Sequence, residues 1–319
     1  MTTTTGKASA VLRQAILKTA GSHRARRAIE ATPLTRSVVD RFVAGEDVRS
    51  AVTASDRISG TGCLVTLDYL GEDTTDRARA EHVASQYVRL LDALAAAGLT
   101  SAAEVSIKLS ALGQALPADG AAVALDNAQA ICSAAARAGT TVTVDMEDHT
   151  TTDSTLGIVA RLREDFPQTG AVIQAYLRRS EADCRDLAHA GSRVRLCKGA
   201  YREPASVAYQ SRAEVTDAYV RCAEILMEGE GYPMLATHDP DLIVAGRRIA
   251  ADSVRPADAF EFQMLYGIRP GEQRRLAAEG HRVRVYVPFG EEWYGYLMRR
   301  LAERPANLVF FLRALTSRN

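Results

Sequence analysis

The chain has 319 residues, of which 47% are hydrophobic, and its 39 Lys and Arg are matched by 39 Asp and Glu. This length and composition are typical of a globular protein with one large domain or two ordinary ones. Because the formal net charge is +0 at pH 7, no overall field attracts nucleic acid or an anionic membrane, and we do not expect a nucleic-acid function.

The N-terminal 29 residues contain no acidic residue and six Lys or Arg, a composition that resembles a mitochondrial presequence. The spacing of Val11, Leu12, Ala15 and Ile16 also fits an ordinary amphipathic helix, which is the interpretation we prefer. No signal-peptide core and no apolar run of membrane-spanning length is present. We therefore expect a cytoplasmic protein, with peripheral contact at the inner face of the membrane left open.

From residue 62 onward, β-rich runs alternate with helical runs. The predicted strands lie at 63–70, 104–110, 141–147, 171–176, 193–200, 233–238, 260–265 and 282–289. Helical patterns between them include 75–97, 121–138 and 211–228, and Asp239-Pro240 reads as a helix N-cap followed by an N1 proline. Strand–helix units of roughly 30 residues are typical of βαβ units in a parallel sheet.

Eight such units in about 250 residues predict an α/β fold, a (β/α)8 TIM-type barrel. A doubly wound fold would need a glycine-rich dinucleotide turn after a strand. The nearest candidate, GTGCLV at 60–65, has Val65 in the place of the third glycine and precedes a strand. We predict a single barrel domain at 62–319 and an N-terminal helical extension at 1–61 packed on it. The apolar segment 307–315 is expected to pack in the core, with membrane contact as the alternative.

The predicted strands end, one after another, in ionisable or hydrogen-bonding residues. These are Asp68, Lys108, Asp145 with Glu147, Gln174, Arg195 with Lys198, Thr237 with His238, Gln263 and Tyr286. A single residue of this kind would be read as a buried polar group whose hydrogen bonds are made within the core. Polar residues at the same end of all eight strands predict an active site, because function in this fold collects at the carboxyl ends of otherwise apolar strands.

The charges at this end favour an anionic ligand. Lys108, Arg195, Lys198, Arg299 and Arg300 supply positive charge, and Asp145, Glu147 and Glu303 balance it. Guanidinium and ammonium groups suit a carboxylate, a phosphate or both, and the small residues of KGAY at 198–201 allow a phosphate to approach the backbone. The DMEDH segment at 145–149 is a candidate metal site, but nearby cations disfavour a metal, and we predict none.

No nucleophile stands out in the sequence. A G-x-S-x-G elbow is absent, the six histidines never fall at H-x-x-x-H spacing, and the five cysteines lack C-x-x-C spacing. The scattered cysteines predict buried thiols in a reducing compartment. Fixed charges without a nucleophile or metal suggest that an organic cofactor performs the difficult step.

The ordered motifs VSIKLSAL, TVDMED, IQAY, VRLCKGAY, ATHDP, FEFQMLYG, VYVPFG and YLMRRLAE closely resemble proline dehydrogenase, here of the monofunctional bacterial type. They run from about residue 64 to residue 315 in the family's order. The resemblance implies a flavoprotein barrel that oxidises L-proline to Δ1-pyrroline-5-carboxylate by hydride transfer to N5 of FAD. It also implies reoxidation by a membrane quinone and coupling to a pyrroline-5-carboxylate dehydrogenase in proline catabolism to glutamate.

Residue roles follow from the same resemblance. Asp145 and Arg195 would be catalytic, Asp145 by organising the cationic cluster and Arg195 by lying near N5. The implied substrate-binding residues are Lys108, Arg299 and Arg300 for the carboxylate, and Tyr286, Tyr296 and Leu265 around the ring. The implied FAD-binding residues are Met146 (through its backbone only), Gln174, Arg195, Lys198, Gly199, Ala200, Tyr201, Thr237, His238 and Glu303.

Two departures from the family pattern matter. Asp145-Met146-Glu147-Asp148 stands where the family often has a small residue and two adjacent acids, and Arg202 stands where some relatives have an aromatic residue near the adenine. The adenine contacts therefore stay open. Tyr286 is expected to favour proline over hydroxyproline, whose hydroxyl would collide with it.

The sequence leaves two alternative functions open. A flavin barrel resembling methylenetetrahydrofolate reductase would need nicotinamide and folate sites, for which the sequence gives no signal. A catalytically silent, proline-sensing barrel would not need the full cationic set.

Overall fold

A computed structural model describes residues 39–303, with side chains described as far as Met298. Eight parallel strands form a closed barrel in sequence order, which confirms the predicted fold class. The strands are β1 Leu64–Tyr69, β2 Ala103–Ile107, β3 Val142–Val144, β4 Gly170–Gln174, β5 Arg193–Cys197, β6 Tyr232–Ala236, β7 Glu261–Leu265 and β8 Val283–Phe289. Closure comes from β1 and β8, which pair from Leu64 with Arg284 to Tyr69 with Phe289.

Helices cover the outside of the barrel. They are α1 Val48–Ser59, α2 Arg77–Ala96, α3 Gly120–Ala138, α4 Thr152–Asp165, α5 Ser180–Leu187, α6 Arg212–Glu228, α7 Pro240–Asp252, α8 Pro270–Ala278 and α9 Trp293–Glu303. The predicted start of α7 is confirmed, since Asp239 is its N-cap and accepts a hydrogen bond from the Asp241 N–H. The predicted leader helix and the segment 307–315 lie outside the described residues, and the proposed division at residue 61 stays a prediction.

Three predicted strands, at 104–110, 141–147 and 193–200, end three residues earlier than expected, and after each early end the chain forms a loop at the barrel mouth. The residues after β2 form tight turns, such as the one closed by the Leu112 N–H and the Leu109 carbonyl. After β3, Asp148 caps a 3-10 turn at His149–Thr151. After β5, Gly199 has φ +108, a left-handed conformation that interrupts the strand.

The amino ends of the strands carry a buried ionic network, which corrects the expectation that the strands are apolar apart from their carboxyl ends. Arg193 on β5 pairs with Glu104 on β2 at 2.6 Å, and Arg284 on β8 pairs with Glu261 on β7 at 2.7 Å. Arg284 also lies 3.6 Å from Glu104. Burial would raise the pKa of Glu104, but Arg193 and Arg284 outweigh it and lower this pKa to about 2.

A second hydrophobic cluster, which we call the mouth cluster, lies beyond the carboxyl ends of the strands. It contains Phe42, Val43, Leu70, Ile268, Trp293, Tyr294, Tyr296, Leu297 and Met298. The Trp293 Nε1–H donates to Glu46 at 2.8 Å, so the segment before α1 is tied to the first turn of α9. The mouth cluster therefore seats α9 over the open end of the barrel. Within residues 39–303, no helix combines the length and apolar character needed to cross a bilayer.

Candidate active site

A cavity of about 520 Å³ lies at the carboxyl ends of the strands. It is lined by every residue that the family resemblance assigned to substrate, cofactor or catalysis and whose side chain is described: Lys108, Asp145, Met146, Gln174, Arg195, Lys198, Gly199, Ala200, Tyr201, Thr237, His238, Leu265, Tyr286 and Tyr296. The side chains of Arg299, Arg300 and Glu303 lie outside the described residues, although α9 carries their backbone. The roles of these three residues stay predictions.

Arg195 forms the base of the cavity and is 4% exposed. Its Nε–H donates to Gln263 Oε1 at 2.6 Å, and its Nη1 donates to Ser106 Oγ at 2.9 Å and to Asp145 Oδ1 at 2.5 Å. Its Nη2 is buried and has no hydrogen-bond partner among the described residues. Because unpaired buried N–H groups are costly, this nitrogen points to a ligand that accepts from it.

Lys108 sits in a cluster with two carboxylates. Its Nζ lies 2.6 Å from Asp68 Oδ2 and 3.9 Å from Asp145 Oδ2. Burial would lower the pKa of Lys108, but Asp68 and Asp145 raise it above its usual value, so the amine stays protonated at neutral pH. The sequence prediction made Asp145 the organiser of Lys108, whereas the shorter contact is to Asp68, a strand-end residue that had no assigned role.

Tyr286 reaches the same cluster from β8. Its hydroxyl donates to Asp145 Oδ2 at 2.7 Å, and the Arg195 guanidinium lies 5.3 Å from its ring centroid. Burial and the charge of Asp145 raise the pKa of Tyr286 well above its usual value, so the phenol remains a neutral donor. Asp145 is therefore held by two donors, one from Arg195 and one from Tyr286.

A second polar group lies where β5 and β6 end. Lys198 Nζ contacts Asp239 Oδ2 at 2.8 Å, and Thr237 Oγ1 accepts from the Asp239 N–H at 3.1 Å. The hydrogen bond from Lys198 lowers the pKa of Asp239. Together they place an ammonium group at the N-terminus of α7, an arrangement that suits a phosphate.

Position 199, next to Lys198, accepts only glycine. A Cβ at this position would lie 2.2 Å from the ring of Tyr176, and the φ of +108 excludes most other residues. The Tyr176 hydroxyl donates to Glu203 at 3.4 Å, and Glu203 also accepts from the His149 N–H at 2.9 Å. Glu203 thus connects the loop after β5 to the loop after β3 beside the cavity.

Glu147, predicted among the acids that balance the positive charge of the mouth, is not among the residues that line the cavity. Its carboxylate accepts from the Ser110 N–H at 3.0 Å and from Ser110 Oγ at 2.6 Å. Burial raises its pKa. Its carbonyl accepts from Gln174 Nε2 at 2.6 Å, so this segment sets the orientation of the Gln174 amide at the cavity wall.

The rest of the cavity wall contains a histidine bonded to the backbone and a cysteine of low reactivity. His238 Nε2 accepts from the Leu265 N–H at 2.8 Å, which ties together the ends of β6 and β7. Cys197 lines the cavity, but burial raises the pKa of its thiol to about 12, which makes it a poor nucleophile. Of the five cysteines, the other four are buried, as predicted. Among the side chains described, those of residues 39–298, no group of three potential metal ligands occurs.

Sequence reasoning assigned no role to several residues that line the cavity: Asp68, Glu72, Val172, Cys197, Ala236, Asp239, Gln263 and Met264. Asp68 and Gln263 had been recognised only as polar strand-end residues. Asp239 was recognised only as a helix cap, and its position directly after Thr237 and His238 was the signal that could have placed it in the site.

Comparison with known proteins identifies the chain's relatives. The model of the family described as proline dehydrogenase matches residues 51–313. Proline dehydrogenase 1 of Bacillus subtilis (strain 168) is 40% identical over 281 residues, covering 88% of this chain and 91% of the relative. The Deinococcus radiodurans proline dehydrogenase is 41% identical over 281 residues, covering 88% and 90%.

A solved structure has the same fold. The crystal structure of proline utilization A from Bdellovibrio bacteriovorus inactivated by N-propargylglycine superposes with a TM-score of 0.78 at 26% identity. The match covers 84% of this chain and 33% of that protein, so the chain spans about a third of its length.

Proposed function

Because the chain belongs to the proline dehydrogenase family, we propose that the cavity at the barrel mouth is the site where it oxidises L-proline to Δ1-pyrroline-5-carboxylate with FAD as cofactor. The family prediction from the sequence motifs is confirmed, and with it an oxidoreductase that acts on proline. Neither the methylenetetrahydrofolate reductase-like function nor the silent sensor is favoured by these relatives.

The observation that carries the choice of FAD is the buried, unpartnered Nη2 of Arg195. A flavin offers acceptors that could satisfy this donor, and the Lys198 group beside the N-terminus of α7 suits a pyrophosphate. Gly199, where a side chain would strike Tyr176, keeps the backbone of this loop close to the cavity. When bound, FAD would supply the acceptor for the hydride that leaves the ring carbon next to nitrogen.

The protein's own residues would bind the proline, orient it and shield it from water. Lys108 stays protonated and would attract the substrate carboxylate, together with Arg299 and Arg300 on α9. Tyr286 and Tyr296 would wall the ring, with Leu265 beneath it. Asp145, held by Arg195 and Tyr286, fixes these two donors relative to each other, and α9 would exclude water from above.

The remaining proposed contacts concern the cofactor. Gln174 would bind the isoalloxazine beside Arg195, and Met146 would contact the cofactor through its backbone. Lys198, Gly199, Ala200, Thr237 and His238 would hold the ribityl-pyrophosphate arm, and Tyr201 and Glu303 would also contact the cofactor. We further propose that a membrane quinone accepts the electrons from the reduced flavin. The activity would be coupled to a pyrroline-5-carboxylate dehydrogenase, since the cyclic imine product needs a further oxidation to reach glutamate.

Lys198→Ala is expected to weaken FAD binding. Losing one charge-assisted contact costs about 1.5–3 kcal/mol, which is roughly tenfold or more in Kd. The measurement is a titration of the apoprotein with FAD, followed by the change in flavin fluorescence. Arg212→Ala, which removes an exposed cation from the start of α6, is the matched control and should bind FAD as the wild type does. An unchanged Kd in Lys198→Ala would remove this residue from the proposed pyrophosphate site.

Arg299→Lys and Arg300→Lys are expected to weaken proline binding while FAD stays bound. Each replaces a bidentate guanidinium with a single-point ammonium, a loss of about 1.5–3 kcal/mol. Steady-state kinetics should show a higher KM for proline, and the flavin content should match the wild type. Unchanged KM values in both variants would contradict the carboxylate clamp.

The proposal as a whole is tested by adding L-proline to the purified, flavin-loaded protein under anaerobic conditions. Loss of the oxidised flavin absorbance is the expected result, and an unchanged spectrum would contradict the proposed reaction.

A further inference from the structure

Gln263 lies between the buried ionic network at the strand amino ends and the arginine at the base of the cavity. It is 2% exposed, its Nε2 donates to Glu261 Oε1 at 2.6 Å, and its Oε1 accepts from Arg195 Nε at 2.6 Å. We infer that Gln263 is a positioning residue that sets the direction of the Arg195 Nη2 donor toward the flavin. This inference rests on the proposed function, in that it assumes a flavin in the cavity.

The orientation of the Gln263 amide is determined by its neighbours. Glu261 is fully buried, and its carboxylate is held by Arg284 through contacts of 2.7 and 3.1 Å. An ionised carboxylate only accepts hydrogen bonds, so the NH2 group of Gln263 must face it. The carbonyl of the same amide must then face Arg195, which only donates.

This acceptor fixes an orientation of Arg195 that the hydrogen bonds at Nη1 leave undetermined. Asp145 and Ser106 both accept from the same nitrogen, Nη1. Held at Nη1 alone, the planar guanidinium could pivot about that nitrogen. The third hydrogen bond, from Nε to Gln263, gives the guanidinium a second fixed nitrogen, and in a rigid guanidinium this also fixes the direction of Nη2. Nη2 is the donor without a partner among the described residues.

The direction of Nη2 matters for electron transfer. Reduction increases the negative charge on a flavin, so a fixed, buried donor aimed at it stabilises the reduced form more than the oxidised form. A guanidinium that has pivoted would lose part of this preference while the residue itself remains in place. Gln263 therefore acts on the reduction potential through Arg195.

Gln263→Met tests this inference, because it removes both hydrogen bonds with little change in side-chain length. We expect the protein's preference for reduced over oxidised flavin to fall by about tenfold, which for a two-electron couple lowers the midpoint potential by about 30 mV. Spectroelectrochemical titration of the FAD-loaded protein measures this potential without proline. Thr66→Val is the matched control: Thr66 is fully buried on β1, and its hydroxyl has no hydrogen-bond partner among the described residues. It should leave the potential unchanged.

Gln263→Glu provides a second test that does not depend on the folding of the methionine variant. When protonated, the introduced carboxyl group can donate to Glu261 and accept from Arg195, as the amide does. When ionised it cannot donate to Glu261, and it adds negative charge beside Arg195. The potential should therefore match the wild type at low pH and fall progressively below it as pH rises. Recovery of the wild-type potential at low pH, where both hydrogen bonds are restored, is the result expected for the positioning role.

The outcomes separate the inference from the function on which it rests. A wild-type protein that binds no FAD would overturn both. If the wild type binds FAD that proline reduces, but both Gln263 variants keep the wild-type potential at every pH, the positioning role is overturned and the function stands. A lowered potential in Gln263→Met, with Gln263→Glu matching the wild type at low pH and Thr66→Val unchanged, supports the inference whether or not proline reduces the flavin.

Discussion

Arg195→Met is expected to slow the reduction of bound flavin by proline by about 10²–10³-fold, the range found when one preorganised donor is removed from a buried site. The variant loses the unpartnered Nη2 donor, and Asp145 loses one of its two donors. Methionine keeps much of the side-chain length, so the cavity base stays filled. Anaerobic stopped-flow mixing of the flavin-loaded variant with proline measures this rate directly.

Arg193→Lys is the matched control for this experiment. Arg193 lies on the same strand two residues earlier, but it pairs with Glu104 in the network at the opposite end of the barrel. Lysine keeps the charge, so flavin reduction in the folded fraction should stay close to the wild-type rate. If Arg195→Met reduced its flavin within a few-fold of the wild-type rate, the proposed role of the guanidinium would be wrong.

Glu104→Gln is expected to cause the largest loss of stability, about 3–5 kcal/mol, because it leaves two buried arginines without full compensation. Glu104 is 2% exposed and lies 2.6 Å from Arg193 and 3.6 Å from Arg284. The measurement is the free energy of unfolding from urea titrations at neutral pH. Glu164→Gln, which breaks an exposed pair with Arg161, should cost no more than about 1 kcal/mol.

The pH dependence of this loss follows from the pKa of Glu104. The folded protein lowers that pKa from 4.5 to about 2. A lowered folded pKa means that the stabilisation is present in full above the unfolded value and disappears as pH falls through the folded value. The difference in unfolding free energy between the wild type and Glu104→Gln should therefore shrink as pH falls from about 4.5 toward about 2. A difference that stays constant over this range would contradict the ionic account.

The fold could be predicted from the sequence because its signals are local. Strand and helix runs alternate from β1 to β8, and the start of α7 is marked by Asp239 and Pro240 within two residues. Most of the cavity wall followed from the same reasoning, since the carboxyl ends of parallel strands meet in any closed barrel. Lys108, Arg195 and Tyr286 were found in this way, although their elements are far apart in the chain.

What could not be predicted depends on contacts that exist only after the barrel closes. Glu104 and Arg193 are 89 positions apart, and nothing local to either residue marks them as partners. The choice between Asp68 and Asp145 as the nearer partner of Lys108 depends on side-chain distances that a strand pattern does not contain. The link from Glu261 through Gln263 to Arg195 has the same origin, because β5 and β7 lie on opposite sides of β6.

The most direct test of the account is anaerobic titration of the FAD-loaded protein with L-proline and, in parallel, with hydroxyproline. We predict that proline bleaches the visible flavin absorbance and that hydroxyproline does so much more slowly, because in the proposed site the hydroxyl of hydroxyproline would collide with Tyr286. Replacing Tyr286 with phenylalanine, which removes the hydroxyl that donates to Asp145, should narrow the difference between the two amino acids. A bound flavin whose spectrum proline leaves unchanged would contradict the central claim.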